Sequence, residues 1–159
     1  MILENDELNV EQGNNQATII ANGATINGDI CSDNDIIIYG NINGNVEGKA
    51  NVQIYGEVKG NIKCVKGSFD HAIVHGDIIS SDSLEFTKTS VIIGDIRAND
   101  ILNGGRIKGN LNVLGKTALK DTSAVVGDIK TGVIEIEKGA VLQGNLMIDK
   151  DVYFDGSED

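Results

Sequence analysis

Apolar and polar residues alternate in short runs along most of this 159-residue chain. In Ile26-Asn27-Gly28-Asp29-Ile30, positions 26, 28 and 30 fall on one side while Asn27 and Asp29 fall on the other. A period of two is that of a β-strand, whose successive side chains point to opposite faces. The same unit, aliphatic-x-Gly-Asx-aliphatic, returns at 42–46, 58–62, 74–78, 92–96, 107–111, 125–129 and 142–146. Its glycines are Gly28, Gly44, Gly60, Gly76, Gly94, Gly109, Gly127 and Gly144, spaced 15 to 18 residues apart. Between the units come apolar pairs such as Ile36 and Ile38, Val52 and Ile54, or Leu84 and Phe86. Gly40 and Gly56 head two further partial copies, each four residues before a principal glycine.

A two-helix repeat needs about 34 residues, so this period is too short for helices. It suits one coil of a parallel β-helix, and residues 17–148 hold about eight such coils. The fold class predicted is all-β, a single-stranded parallel β-helix. At ~4.8 Å per rung the rod should be roughly 38 Å long. A coil cannot bury its inward side chains alone, so successive coils stack into columns of Ile and Val. Glycine relieves the Cβ clash where the backbone bends sharply. The Asx that follows it has a short polar side chain suited to bonding nearby backbone at the bend. One coil breaks the pattern: Ser68 and Asp70 stand where apolar residues belong, and Lys66-Gly67-Ser68 reads as a turn. Phe69 and Ile73 are expected to fill the core there through a local shift of register.

Composition sharpens this picture. The chain has 20 glycines, no proline, no tryptophan and only 4% aromatic residues. So much glycine would ordinarily suggest flexibility, but 40% of the residues are hydrophobic and evenly spread, which argues against general disorder. Collagen would need glycine at every third position and abundant proline. No run approaches the 18 or more apolar residues of a membrane-spanning helix. The absence of proline fits stacked coils, because each interior strand needs its N–H for the rung.

The net charge of −11 sits mostly at the ends. Residues 1–16 carry Glu4, Asp6, Glu7 and Glu11 with no Lys or Arg, and residues 149–159 carry five acids against Lys150. Both are read as acidic, disordered tails, flanking a body that holds 15 acids and 12 bases. Acidic tails repel nucleic acid and anionic lipid, and no basic patch stands out in the sequence, so no nucleic-acid partner is expected. The start has neither a basic n-region nor an apolar h-region, which points to a cytoplasmic protein. Cys31 and Cys64 lie two coils apart, about 9.6 Å by rung spacing. A disulfide tolerates only about 7 Å, so both are expected as free thiols, with Cys31 facing outward.

Candidate chemistry is sparse. His71 and His75, four residues apart, are the only histidines. A zinc site of the β-helix carbonic anhydrase kind needs three, and adding Cys64 gives a Cys-His-His set without diagnostic spacing. Exposed histidines, no metal and no catalytic base are therefore expected. Asp77 and Asp95 fall on consecutive rungs and raise the question of calcium. Half of the Asx positions are neutral Asn and the calcium-binding nonapeptide is absent, so turn chemistry is expected instead. Neither phosphate-cradling glycine motif is present, so no nucleotide or other cofactor is expected.

The ends of a β-helix are open rungs that template further pairing unless covered. No amphipathic helix stands at either end: Ala17-Thr18-Ile19-Ile20 begins as strand and 146–154 continues as strand. Ile19, Ile20, Leu146, Ile148, Val152, Tyr153 and Phe154 are the candidate end-to-end contacts, Phe154 foremost because aromatics are favoured at interfaces. The alternative is that Tyr153 and Phe154 fold back as a lid over a monomer.

These Gly-Asx-aliphatic coils between short acidic ends resemble the bactofilins, bacterial cytoskeletal proteins. The resemblance covers about 17–148. It implies a right-handed β-helix of triangular section, the usual hand for parallel crossovers. It also implies a homopolymer: subunits joined end to end in non-polar filaments without nucleotide, scaffolding cell-shape or cell-wall machinery, often at the membrane. Some members carry an amino-terminal membrane-targeting segment with an apolar tip. Met1-Ile2-Leu3 matches such a tip, but Glu4, Asp6 and Glu7 follow where basic residues are typical, and anionic lipid repels them.

A second reading is the left-handed hexapeptide-repeat acyltransferase, a trimer using a catalytic histidine. Sixfold spacing at Ile30, Ile36, Ile42 and at Val46, Val52, Val58 favours it, but the next step is four residues and later coils lose the pattern. A third, a secreted adhesin-like solenoid, is disfavoured by the missing signal. The expectation is a non-enzymatic scaffold.

Overall fold

The short alternating runs become 24 strands of three or four residues, joined by tight corners. The computed structural model describes residues 16–149, and among these it contains no helix. The first coil comprises β1 (Ala17–Ile20), β2 (Thr25–Asn27) and β3 (Ile30–Ser32). The last comprises β22 (Val133–Ile136), β23 (Val141–Gln143) and β24 (Leu146–Ile148). Every third strand stacks on the one before, giving three parallel eight-stranded sheets, A, B and C, that begin with β1, β2 and β3 respectively. The protein is a three-sided β-solenoid of eight coils.

Strand length decides how much each sheet gives to the core. The four-residue strands of sheet A turn their second and fourth residues inward, as Ile36 and Ile38 do. The three-residue strands of sheet B turn in only the middle residue, such as Ile42. Those of sheet C turn in the first and third, as with Ile62 and Cys64. Parallel register then stacks like on like: Ile42, Val58, Val74, Ile92, Ile107 and Val125 form one column, all 2% exposed or less. Each fully buried Val or Ile contributes about 1.5–3 kcal/mol through removal from water. No coil is stable alone, because its inward residues are covered only by the coils above and below.

The corner glycines are needed for two separate reasons. Gly76 has φ of +154°, a backbone region that L side chains rarely adopt, and a Cβ there would fall on the carbonyl oxygen of Gly60 one coil below. Gly28, in the first coil, has φ of +144° but open space where a Cβ would lie. A second corner, leading into sheet B, also requires small residues: Gly40, Gly56, Ala72, Ser90, Gly105 and Ser123 occupy it. This explains the two extra glycine copies, since a Cβ on Gly56 would meet the carbonyl oxygen of Gly40.

The irregular coil departs from expectation in part. Phe69 is buried and pairs with Ile54 below and Phe86 above, its ring stacked on that of Phe86 at 4.7 Å. Gly67 enters the column of Val52 and Leu84, and a Cβ there would meet both Leu84 and Phe69, which fill the space. Ile73, however, is not a core residue: it faces solvent and is 40% exposed. The slip is absorbed at the corner, where His71 adopts φ of +58°, so that Ala72 and Val74 turn inward instead.

Candidate functional site

Three features of the solenoid bear on function: its two ends, its corner ladder and its outer faces. At the ends the sheets stop. β1, β2 and β3 are each paired on one side only, as are β22, β23 and β24, so six strand edges among the described residues are open. Ile20 is half-buried against the core, whereas Ile19 points outward from sheet A and is 60% exposed. Of these two candidates, Ile20 is therefore the one that ends a core column. Ile26 and Ile30 end two more columns, although the sequence reading did not select them. At the other end Leu146 and Ile148 both sit in inward register, beneath no further coil, and are 39% and 46% exposed. Ile136 and Leu142 join them in inward register, detectable from the two-residue alternation along their strands. The remaining candidates, Val152, Tyr153 and Phe154, and the apolar tip Met1, Ile2 and Leu3, lie outside the described residues.

The two ends differ chemically. Thr18 and Ser32 stand in inward register in the first coil, hydroxyl to hydroxyl at 3.3 Å. Their counterparts in the last coil are Ile134 and Ile148, so that end is wholly aliphatic. An exposed aliphatic surface of this kind is a standard mark of an association site.

Corner chemistry takes an unforeseen form. The Asx side chains do not bond their own bends; each reaches to the next coil. Oδ1 of Asp29 accepts a hydrogen bond from the N–H of Asn45, and the relation repeats through Asn61, Asp77, Asp95, Asn110 and Asp128 to Asn145, at 2.9–3.0 Å throughout. Both Asn and Asp offer the needed carbonyl-type oxygen, which accounts for their interchange. Asp77 and Asp95 thus accept from backbone donors of the next coil rather than of their own turn.

Among the described residues the cysteines and histidines stand apart from one another. Cys64 is buried in a core column, where desolvation pushes its thiol up to about 12 despite a hydrogen bond with Ser80. Cys31 is exposed, and both thiols are free, as rung spacing required. His75 stands on the outer face of sheet B and His71 at the exposed corner, so Cys64 and the two histidines are not brought together. Among the described residues no group of three or more His, Cys, Asp or Glu is placed to hold a metal. At the His71 corner, Asp70 accepts from the Thr87 and Thr89 hydroxyls at 2.9 and 3.2 Å and lies 3.0 Å from the imidazole Nδ1. The Thr87 bond is the main reason its carboxyl titrates below the usual value.

The outer faces carry charge unequally. Sheet A bears acids and lysines paired across neighbouring coils, with Lys116 to Glu135 at 3.0 Å and Lys66 to Asp82 at 3.8 Å. A shallow cleft of about 560 Å³ lies over this face, between Gln53, Ser68, Glu85 and Lys116. Its lining contains no histidine or cysteine. Among the described residues no helix is long and apolar enough to cross a membrane.

The described residues form a three-sided parallel solenoid whose first and last coils are each paired on one side only. The bactofilin profile, described as polymer-forming cytoskeletal, matches residues 18–70 and 57–147. The chain therefore belongs to the bactofilin family of cytoskeletal proteins. Among characterised relatives, Bactofilin BacO of Myxococcus xanthus (strain DK1622) is 28% identical over 132 residues, covering 83% of this chain and 79% of that protein. No solved structure matches the chain. Family membership places the chain with polymer-forming proteins and away from the hexapeptide acyltransferases.

Proposed function

We propose that this bactofilin is a non-enzymatic scaffold whose subunits join end to end into non-polar filaments without nucleotide. The observation that carries this reading is the pair of open rungs. Among the described residues each end presents three unpaired strand edges around exposed or half-buried core residues, Ile20 and Ile26 at one end, Leu146 and Ile148 at the other. An uncovered rung is a template for pairing, and a subunit of the same kind supplies strands in matching positions. Non-polar assembly joins like ends. The aliphatic end then forms the tighter contact, because it buries more apolar area without hydroxyls.

The filament acts in the cytoplasm, at the inner face of the cell membrane, where proteins of wall growth or cell shape bind its sides. Electron microscopy of purified protein in nucleotide-free buffer tests the assembly. Filaments a few nanometres wide are the expected result, and monomers alone at high concentration across salt conditions would overturn the reading. Ile148→Arg and Phe154→Arg should abolish filaments while leaving the β-rich circular dichroism intact.

A further inference from the structure

Sheet B turns two residues of every strand outward, so its outer face carries two columns along the rod. From Ile73 to Gln143 those columns contain no acidic residue, in a chain of net charge −11. They hold His75, Arg106 and Lys108 among Ile73, Ile93 and Val126, the three aliphatics 40–44% exposed. The one carboxylate elsewhere on the face, Glu57, lies 3.9 Å from Lys59. Among the described residues Arg106 and Lys108 enter no ion pair. This is a basic and apolar strip on an acidic protein.

The segment that precedes the solenoid is its chemical complement. Residues 1–15 carry Glu4, Asp6, Glu7 and Glu11 without a single cation, interspersed with Ile2, Leu3, Leu8 and Val10. Fifteen extended residues reach up to about 50 Å. Arg106 belongs to the sixth coil, about 24 Å along the axis from the first at 4.8 Å per rung. Glu4, Asp6 and Glu7 lie far enough from residue 16 to reach it around the side of the rod. The acidic residues 150–159 are a weaker match. They include a cation, Lys150, whereas no Lys or Arg stands in residues 1–15. A second copy of the strip is a poor partner, because it would set Arg106 and Lys108 against like charges.

We propose that residues 1–15 dock along the outer face of sheet B of their own chain, with Glu4, Asp6 and Glu7 against Arg106 and Lys108. Docking covers the exposed aliphatics and holds Met1, Ile2 and Leu3 against protein, so any lipid contact by that tip requires release of the segment. The docking itself does not depend on filament formation.

Zero-length carbodiimide cross-linking of the full chain, as a mixture of unlabelled and ¹⁵N-labelled protein, reads the contact directly. Links from Glu4, Asp6 or Glu7 to Lys108 or Lys59, within one isotopic species, are expected. Hydrogen exchange provides the second measurement. The charge-reversed R106E/K108E protein should exchange amides of residues 1–15 roughly fivefold to tenfold faster than the native chain, as expected when a few screened charge pairs are lost. The E4Q/D6Q/E7Q protein, whose solenoid is untouched, should do the same, and 0.5 M salt should mimic both. The proposal is overturned if the links run equally to Lys63 and Lys130 on sheet C, or only between isotopic species, or from residues 151–159 instead. Unchanged exchange in both variants overturns it too, as does wild-type binding to phosphatidylglycerol vesicles through Arg106 and Lys108.

Discussion

Asp95 donates its backbone N–H to the side-chain oxygen of Asp77 at 2.9 Å, across one rung and 18 residues of sequence. The same bond links every successive pair of coils from Asp29 to Asn145. The corner is thereby tied to its neighbour by side chain as well as by backbone. Asp77→Asn should be nearly neutral, because the amide oxygen accepts the same bond. Asp77→Ala should destabilise the solenoid by about 1 kcal/mol, the usual net worth of one hydrogen bond. Urea denaturation followed by circular dichroism distinguishes the two; equal losses would show that the carboxylate charge, rather than the acceptor, matters.

Glycine at the same corner separates backbone strain from collision. Gly28→Ala meets the strain of φ +144° alone, since no described residue lies within reach of its new methyl. That should cost about 1–3 kcal/mol. Gly76→Ala adds a collision with the carbonyl of Gly60 at similar φ, so its loss should be clearly larger and should spread to the neighbouring coils. Thermal unfolding of the two variants side by side checks the order, and a milder effect at Gly76 would contradict it.

Asp70 makes stability fall in acid. Its carboxyl is held below the ordinary value of 3.8, chiefly by the Thr87 hydroxyl, so the unfolded chain binds a proton more readily than the folded one. The contribution is complete above that ordinary value and disappears as pH falls through the lower folded one. Thr87→Val should therefore flatten the decline in melting temperature below pH 3.8 while changing little at pH 7 beyond the lost bond. An unaltered slope between wild type and variant would remove Asp70 from the acid response.

Thiol labelling should separate the two cysteines. Cys31 is exposed, whereas Cys64 is buried with its thiol pushed up to about 12. The thiolate is the reactive form, so iodoacetamide at pH 8 should modify Cys31 within minutes and Cys64 only on unfolding. Peptide mass spectrometry resolves the sites. Rapid labelling of Cys64 in the folded protein would mean that its coil opens readily.

Much of the architecture was legible because a solenoid is nearly one-dimensional. Ile42, Val58 and Val74 share a column simply because they share a place in the repeat, so local alternation and period suffice. The reading failed where the repeat changed length. Ile73 was expected inside because parity was carried across a strand, while the chain reset its parity at the His71 corner. Asn103 escaped notice for a related reason: a polar residue in a core column contradicts the pattern. It is tolerated because its amide bonds both the N–H and the carbonyl of Gly105.

What the sequence determined by itself is the coil: its length, its inward positions, its glycine corners and the family to which such coils belong. Those follow from contacts between residues near one another or one period apart. Only the tertiary structure decided what the coils do to one another once stacked. It turned the Asx residues from turn formers into a ladder and gave one end hydroxyls and the other aliphatics. It also gathered Arg106, Lys108 and their apolar neighbours onto one face. Each of these depends on register between coils, which fixes which outward residues become neighbours across rungs about 4.8 Å apart.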